Sequence, residues 1–291
     1  MVIELKYNRK VWKILFIYSK MKKIKTGGRD VSKFIVIGER IHCISPVIRE
    51  AMASRNPEPI LKRAKDQIAQ GAAYLDVNIG PAEKDGEELM QWAVKLIQGE
   101  CDNIPLCLDT ANSKAIEAGI AVHNNSKGKP IVNSADAGDR IGNIDLAAAN
   151  GAICIALCSA AGIPSDNDER MGYCQELLER GMEHGMEPED IWFDPLFLVV
   201  KGMQDKQMEV LDFIKMLSDM GLNSSGGLSN ISNMMPGHVR PIMDSAMLAM
   251  AMYCGLTSAI VNPGDLRLME TLRSCDIIRN NTLYADSYLE I

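Results

Sequence analysis

Eight short apolar runs recur along the chain, and most close on a polar residue where the pattern asks for an apolar one. They are FIVIGER (34–40), YLDVNIG (74–80), PLCLDT (105–110), PIVNSAD (130–136), AICIALC (152–158), DIWFDPL (190–196), GGLSN (226–230) and SAIVNPG (258–264). Continuous apolar runs of this length, set off by Gly, Pro and Asn, read as buried parallel strands. The segments between them carry helical spacing. Ile60, Ala64, Ile68 and Ala72 share one face, as do Leu89, Trp92, Ala93 and Leu96. Asn56-Pro57 predicts a break in the first helical stretch, and Asn112 or Ser113 a helix start. Gly185 stops a helix that begins near 169, and further helices are expected near 205–220, 241–254 and 265–279. The seventh run is the least regular, preceded by Asn223, Ser224 and Ser225 and opened by paired glycines.

Eight β/α units in about 260 residues predict an α/β fold, a single-domain (β/α)8 TIM barrel over residues 34–291. In such a barrel the C-terminal strand ends surround the active site. The chain thereby nominates Glu39, Asp76, Asn78, Asp109, Asn133, Asp194, Asn230 and Asn262.

Residues 1–33 differ from the rest. They hold ten Lys/Arg against two acids, a net +8, which leaves −15 for the remainder of a chain whose total is −7. VWKILFIY (11–18) is too short to span a bilayer and is interrupted by Lys13. No small-residue cleavage site follows it clearly, so we read a basic, solvated N-terminal extension, or a start upstream of Met21. A cytoplasmic protein without membrane association is expected, and the acidic barrel argues against nucleic acid as a partner. The eight cysteines do not form a disulfide framework. Cys107, Cys154 and Cys158 fall inside predicted strands and read as small, reduced hydrophobes. There is no CxxC or HExxH and the four histidines are scattered, so no metal site is assigned.

The chemistry lies in the strand ends. Burying an Asp without a partner costs several kcal/mol. Each of Asp76, Asp109 and Asp194 alone fits a structural role, because Asp and Asn also cap helices. Converging on one rim with Asn78, Asn133 and Asn230, they make a polar cage. No lysine sits inside a strand and no GxxxxGK[ST] loop is present, which argues against phosphorylated sugars and Schiff-base chemistry. Carboxylates accept from ring N–H and amino groups, and carboxamides both donate and accept. A flat heterocycle such as a pterin or purine suits that cage; a hydroxylated ligand also could be held there. Glu39 fits an ion pair with Arg40 as well as a ligand role. The acids of GIPSDNDER (162–170) read as a solvated loop with helix-capping duty, and Met247, Met250 and Met252 as core.

Seven strings, IGERI (37–41), LDVNIGP (75–81), LCLDT-x-N (106–112), IVNS (131–134), GIPSDNDER, FDPL (193–196) and GLSNIS (227–232), resemble in order those of the pterin-binding methyltransferases. With RPIMDSAMLAMAMYCGLTSAIVNP (240–263) they are most similar to the methyltetrahydrofolate:corrinoid protein methyltransferases, from residue 34 to the end. The chain departs at His42, at Asn233 and in a somewhat longer 233–240 loop. The resemblance implies a methyltransferase, usually a homodimer. It would carry a methyl group between N5 of methyltetrahydrofolate and the cobalt of a cobamide (vitamin B12-type) held by a separate corrinoid protein. By motif match Asp109, Asn133 and Asp194 hold the pterin ring. Asp76 and Asn78 line the same pocket, Ser229 and Arg240 contribute to it, and Asn230 is the catalytic residue beside N5. Two rival readings share the cage: a dihydropteroate synthase-like pterin enzyme, and a folate-binding barrel that transfers nothing.

Overall fold

The computed structural model describes residues 33–289. The basic extension read over 1–33 lies, apart from Lys33, outside the described residues. Eight parallel strands run around a barrel, with order β7-β6-β5-β4-β3-β2-β1-β8 and helices packed outside. The strands are β1 (Ile35–His42), β2 (Tyr74–Asn78), β3 (Leu106–Asp109), β4 (Ile131–Asp136), β5 (Ile153–Leu157), β6 (Ile191–Asp194), β7 (Asn223–Ser224) and β8 (Ser258–Val261). No helix among the described residues is long and apolar enough to cross a membrane.

The first helical stretch breaks at the expected place. Helix α1 (Pro46–Ser54) ends before Asn56, whose side chain caps α2 (Pro57–Ala69) by accepting from the Glu58 N–H. Helix α3 is Gly86–Glu100, and α4 (Ser113–Val122) starts on Asn112, whose carboxamide oxygen accepts from the N–H groups of Lys114 and Ala115. Helix α5 spans Gly142–Ala149 and α6 Asn167–Glu183. Asp166 caps α6 through the Glu169 N–H, while the Glu169 carboxylate takes the Ser165 N–H, so these acids do serve as caps. Arg170, one residue on, is fully buried and joins Asn167 at 2.8 Å and Glu209 at 3.5 Å, tying α6 to α7 (Gln207–Asp219). Helices α8 (Arg240–Cys254), α9 (Leu266–Ile278) and α10 (Asp286–Leu289) complete the ring.

The seventh unit departs from the sequence reading. GLSN is not strand: Leu228–Ser232 forms a 3₁₀ turn, and the strand is the two-residue Asn223–Ser224 before it. The physical reason lies in NSSGG (223–227), which has no β-branched or aromatic side chain to pack on a pleat. Closure between β7 and β8 relies on substitutes for a ladder. Gly227 bridges Ile260, the Ile260 N–H donates to the Gly226 carbonyl at 2.9 Å, and the Thr257 hydroxyl donates to the Ser224 carbonyl and accepts its N–H.

Two further irregularities bear on the mouth. In β1, Gly38 faces Leu75 and Ile41 faces Val77, so one extra residue bulges at Glu39–Arg40. In β4, Asn133 faces Ile155 and Ala135 faces Ala156, a second bulge. Bulges re-aim side chains at barrel rims. The strands bury an inner cluster of Ile37, Cys107, Ile131, Ile153, Ile155 and Trp192. Cys107, Cys154 and Cys158 are fully buried free thiols, as small hydrophobes would be.

Candidate active site

Side chains alternate along a strand, so the residue two past an inner-cluster member also points inward, one layer nearer the mouth. Applied strand by strand, Ile37 leads to Glu39, Tyr74 to Asp76 and then Asn78, Cys107 to Asp109, Ile131 to Asn133, Trp192 to Asp194, and Ile260 to Asn262. Only β5 continues apolar, from Ile155 to Leu157. The inner wall therefore changes from apolar to polar at its C-terminal rim.

Four of these side chains are directly bonded. The Asn78 amide donates to the Asp109 carboxylate at 2.5 Å, and the Asn133 amide donates to Asp76 at 3.2 Å. Strand register explains the first contact, because Asn78 pairs with Asp109; the second reaches across β3 from β4 to β2. Asn78 is itself fixed, its oxygen accepting the Gly80 N–H at 2.9 Å. Asp194 stands across the barrel on β6. It accepts the Leu196 N–H at 2.8 Å and lies against Gly226, where a Cβ would come within 2.6 Å of its Oδ1. A glycine at 226 is what lets the backbone just past β7 approach that carboxylate.

All three aspartates are pushed toward the protonated state. Burial raises Asp76 most, the charge of Asp109 raises it further, and hydrogen bonds from Cys107 and Asn133 oppose this. Burial also raises Asp109, against the Asn78 bond and the Arg140 charge. Asp194 rises to about 7 through burial, with the Leu196 N–H holding it down. The Asp76–Asp109 pair thus favours keeping a proton between two like charges. Arg140 belongs to a supporting set outside the cage, bonded at 2.8 Å to Asp136; burial raises that carboxyl, but hydrogen bonds from Arg140 and the Gly138 N–H outweigh it and hold it below the ordinary range.

Asn262, on the β8 side, accepts from the Gly264 N–H at 3.0 Å and from Arg40 at 3.4 Å, and the remaining nominees form a second cluster on the β7 side. The Ser229 hydroxyl donates to Glu39 at 2.5 Å. Arg240, the first residue of α8, donates to the Ser232 hydroxyl at 3.0 Å and to the Ser229 carbonyl and Asn233 oxygen, each at 3.4 Å. Asn230 is exposed on the 3₁₀ turn. Its oxygen accepts from the Asn233 amide at 3.4 Å, and it has no direct bond to the cage. Glu39 is raised by burial and lies close enough to Asp76 to add to that residue's shift. Its contact is thus the Ser229 hydroxyl rather than an ion pair with Arg40. Sequence reading missed Asp244, a buried acid on α8 raised to about 6 by burial and bonded to Ser232. The available signal was a lone acid in the apolar run IMDSAMLAMAM. A cavity of about 660 Å³ flanks the mouth, lined by Val200, Lys201, Gly202, Gln204, Asp205 and Met235, and none of the cage residues borders it.

An inward array of carboxyls and carboxamides above an apolar floor is a site for a flat ligand rich in N–H donors. The family comparison agrees: the pterin binding enzyme model matches residues 45–262, and the chain belongs to that family. It is 26% identical over 263 residues to the methylcorrinoid:tetrahydrofolate methyltransferase of Eubacterium limosum, covering 87% of this chain and 94% of that protein. Among solved structures it is similar to the dihydropteroate synthase of Yersinia pestis bound to a pterine–sulfa conjugate. There the TM-score is 0.65 and the identity 16%, over 87% of this chain and 96% of the other. The dihydropteroate synthase of Xanthomonas albilineans with 4-aminobenzoic acid gives a TM-score of 0.66 at 16% identity, over 88% and 96%. At such identities the structural likeness speaks for the fold alone.

Proposed function

We propose that this chain moves a methyl group between N5 of (methyl)tetrahydrofolate and the cobalt of a cobamide presented by a separate corrinoid protein. The observation that carries the reading is the bonded set Asp76–Asn133 and Asn78–Asp109 facing Asp194, in a layer whose inward residues include no Lys or Arg. Such a layer offers acceptors to a pterin's ring N–H and amino groups, and its own inward groups supply no cation for a diphosphate leaving group; Arg40 and Arg63 stand at its β1 edge. The tetrahydrofolate methyltransferase relative covers nearly the whole barrel and supports the proposed transfer.

In this reading Asp109, Asn133 and Asp194 hold the ring, and Asp76 and Asn78 fix Asp109 and Asn133. Ring orientation sets N5 toward the mouth, where a bulky partner can reach it. A methylated amine leaves poorly unless N5 gains a hydrogen bond or a proton as the bond breaks. The Asn230 carboxamide, on the exposed 3₁₀ turn, is the group assigned to donate to N5, and that bond strengthens as charge develops. Ser229 and Arg240 steady the turn, through Glu39 and Ser232. A corrinoid is too large for the barrel interior, so its protein docks over the mouth. A homodimer is part of the same proposal, on family resemblance.

The test follows methyl transfer by the absorbance change on conversion of cobalt(I) to methylcobalt(III), together with folate binding by calorimetry. Asn230→Ala should lower kcat on the order of a hundredfold, the scale for one transition-state hydrogen-bond donor, while the folate Kd moves by less than about threefold. Collapse of binding with normal turnover at saturation would contradict the role of Asn230. Tight folate binding with no corrinoid-dependent transfer in the unmodified protein would leave only a folate-binding barrel.

A further inference from the structure

The β1 bulge falls at Arg40, on the edge of the mouth between β1, β8 and α2. Its backbone N–H donates to Gln67 on α2 at 2.8 Å, and its guanidinium reaches the Asn262 oxygen at 3.4 Å. Arg63 stands one helical turn before Gln67 on the same face of α2. Helix α2 runs antiparallel to β1, so that turn lies nearer the mouth, beside Arg40. Arg63 feels the Arg40 charge: Arg63 is drawn down by burial and then by Arg40, and His42 is drawn down by burial, Arg63 and Arg40.

Among the described residues no acid makes a direct ion pair with either group: Glu39, which feels the Arg40 charge, bonds Ser229, and Asp66, which feels Arg63, pairs with Lys62 at 3.0 Å. Gln67 Nε2 and His42 Nδ1, both buried, have no hydrogen-bond partner there. Two adjacent guanidinium groups without a carboxylate repel each other, and a bound dianion or short polyanion relieves that repulsion. Guanidinium forks match carboxylates in a planar, bidentate way.

We propose that Arg40 and Arg63, with Asn262 beside them, form a carboxylate subsite that receives the glutamyl tail of the folate. The inference rests on the folate reading, since the tail is tethered to the ring the cage would hold. The subsite lies just outside the cage on the β1 side, linked to it through Glu39. It makes the enzyme prefer folates with more than one glutamate, whose extra carboxylates bring more charge to the pair.

The experiment measures Kd for three probes: tetrahydropteroate without glutamate, the monoglutamate and the triglutamate. In the unmodified protein the pteroate-to-triglutamate Kd ratio should be on the order of tenfold or more, the scale of one partly exposed charge-assisted contact. It should shrink on going from low to about 0.5 M salt. Within Arg63→Gln the same ratio should fall to near one. Because the ratio is taken within one variant, a folding defect reveals itself as loss of binding for all three probes, and the salt series then decides the matter in the unmodified protein. A ratio near one in the unmodified protein, or one that Arg63→Gln and salt leave unchanged, overturns the subsite while the folate reading stands. A higher KM for the corrinoid protein in Arg63→Gln with an unchanged ratio would reassign the pair to protein docking, and also overturns it. If none of the three probes binds, the folate reading fails and the subsite falls with it.

Discussion

Gly226→Ala adds a single methyl group where the backbone just past β7 meets Asp194, a candidate ligand residue. The new Cβ would stand 2.6 Å from Asp194 Oδ1, 2.9 Å from Cγ and 3.0 Å from Oδ2. Comfortable contact between such atoms is about 3.5 Å or more. Turning the carboxylate about its own axis does not help, because Cγ itself is too close. The side chain must change its first torsion and leave the Leu196 N–H, now bonded at 2.8 Å. Gly226 is not at positive φ, so alanine meets no backbone strain there. The lost bond costs about 1 kcal/mol and the crowding on the order of 1–3 kcal/mol. Reduced freedom of the unfolded chain returns about 0.4–1 kcal/mol. The net loss of stability should be about 1–3 kcal/mol, which the barrel survives. Binding suffers more in proportion: a displaced Asp194 leaves a ring donor unpaired, about 1–3 kcal/mol, or roughly tenfold to a hundredfold in Kd for tetrahydrofolate. Urea unfolding and calorimetry on the same preparation separate the two effects. Gly172→Ala, where nothing lies within 4 Å, is the control and should not weaken binding. A Gly226→Ala protein with unmodified folate affinity would refute the placing of Asp194 in the ligand cage.

Asp194 also predicts a pH dependence. Its folded pKa of about 7 lies above the ordinary aspartate value of about 4. Between these limits the folded state holds a proton that the unfolded state has released, so this group's contribution to stability falls as pH rises from about 4 to about 7. Folate donors prefer the ionised carboxylate, so affinity should rise through the same window. Asp194→Asn should flatten both trends in urea titrations and Kd–pH profiles, and unchanged slopes would assign them to other groups. Asn112→Ala removes the cap of α4 and the amide bond to the Ala82 carbonyl at 3.0 Å. It should cost about 1–2 kcal/mol by urea unfolding and leave folate affinity nearly unchanged.

The strand-end carboxylates were legible because each interrupts an apolar run at a place where burial makes an unpaired acid costly. Asp76, Asp109 and Asp194 stand out in LDVN, LCLD and IWFD for that reason alone. The break at Asn56-Pro57 and the cap at Asn112 were legible because their causes are local. The seventh strand was not. GGLSN sits at the right interval for a strand, yet Asn223–Ser224 pairs with β6 and GLSN coils into a 3₁₀ turn. That choice depends on Thr257 and Gly226 completing the closure, groups far apart along the chain.

Linear order thus determined the number of β/α units, the capped helix starts and the acids that would crowd one rim, since periodicity and local hydrogen bonding act over a few residues. Folding decided that Asp76 and Asp109 are pushed together toward protonation, that Glu39 answers to Ser229, that Asp244 is buried on α8, and that Arg40 comes near Arg63. Those outcomes depend on desolvation and on charges brought within a few ångströms by strands and helices distant in sequence. Neither quantity exists until the barrel has closed.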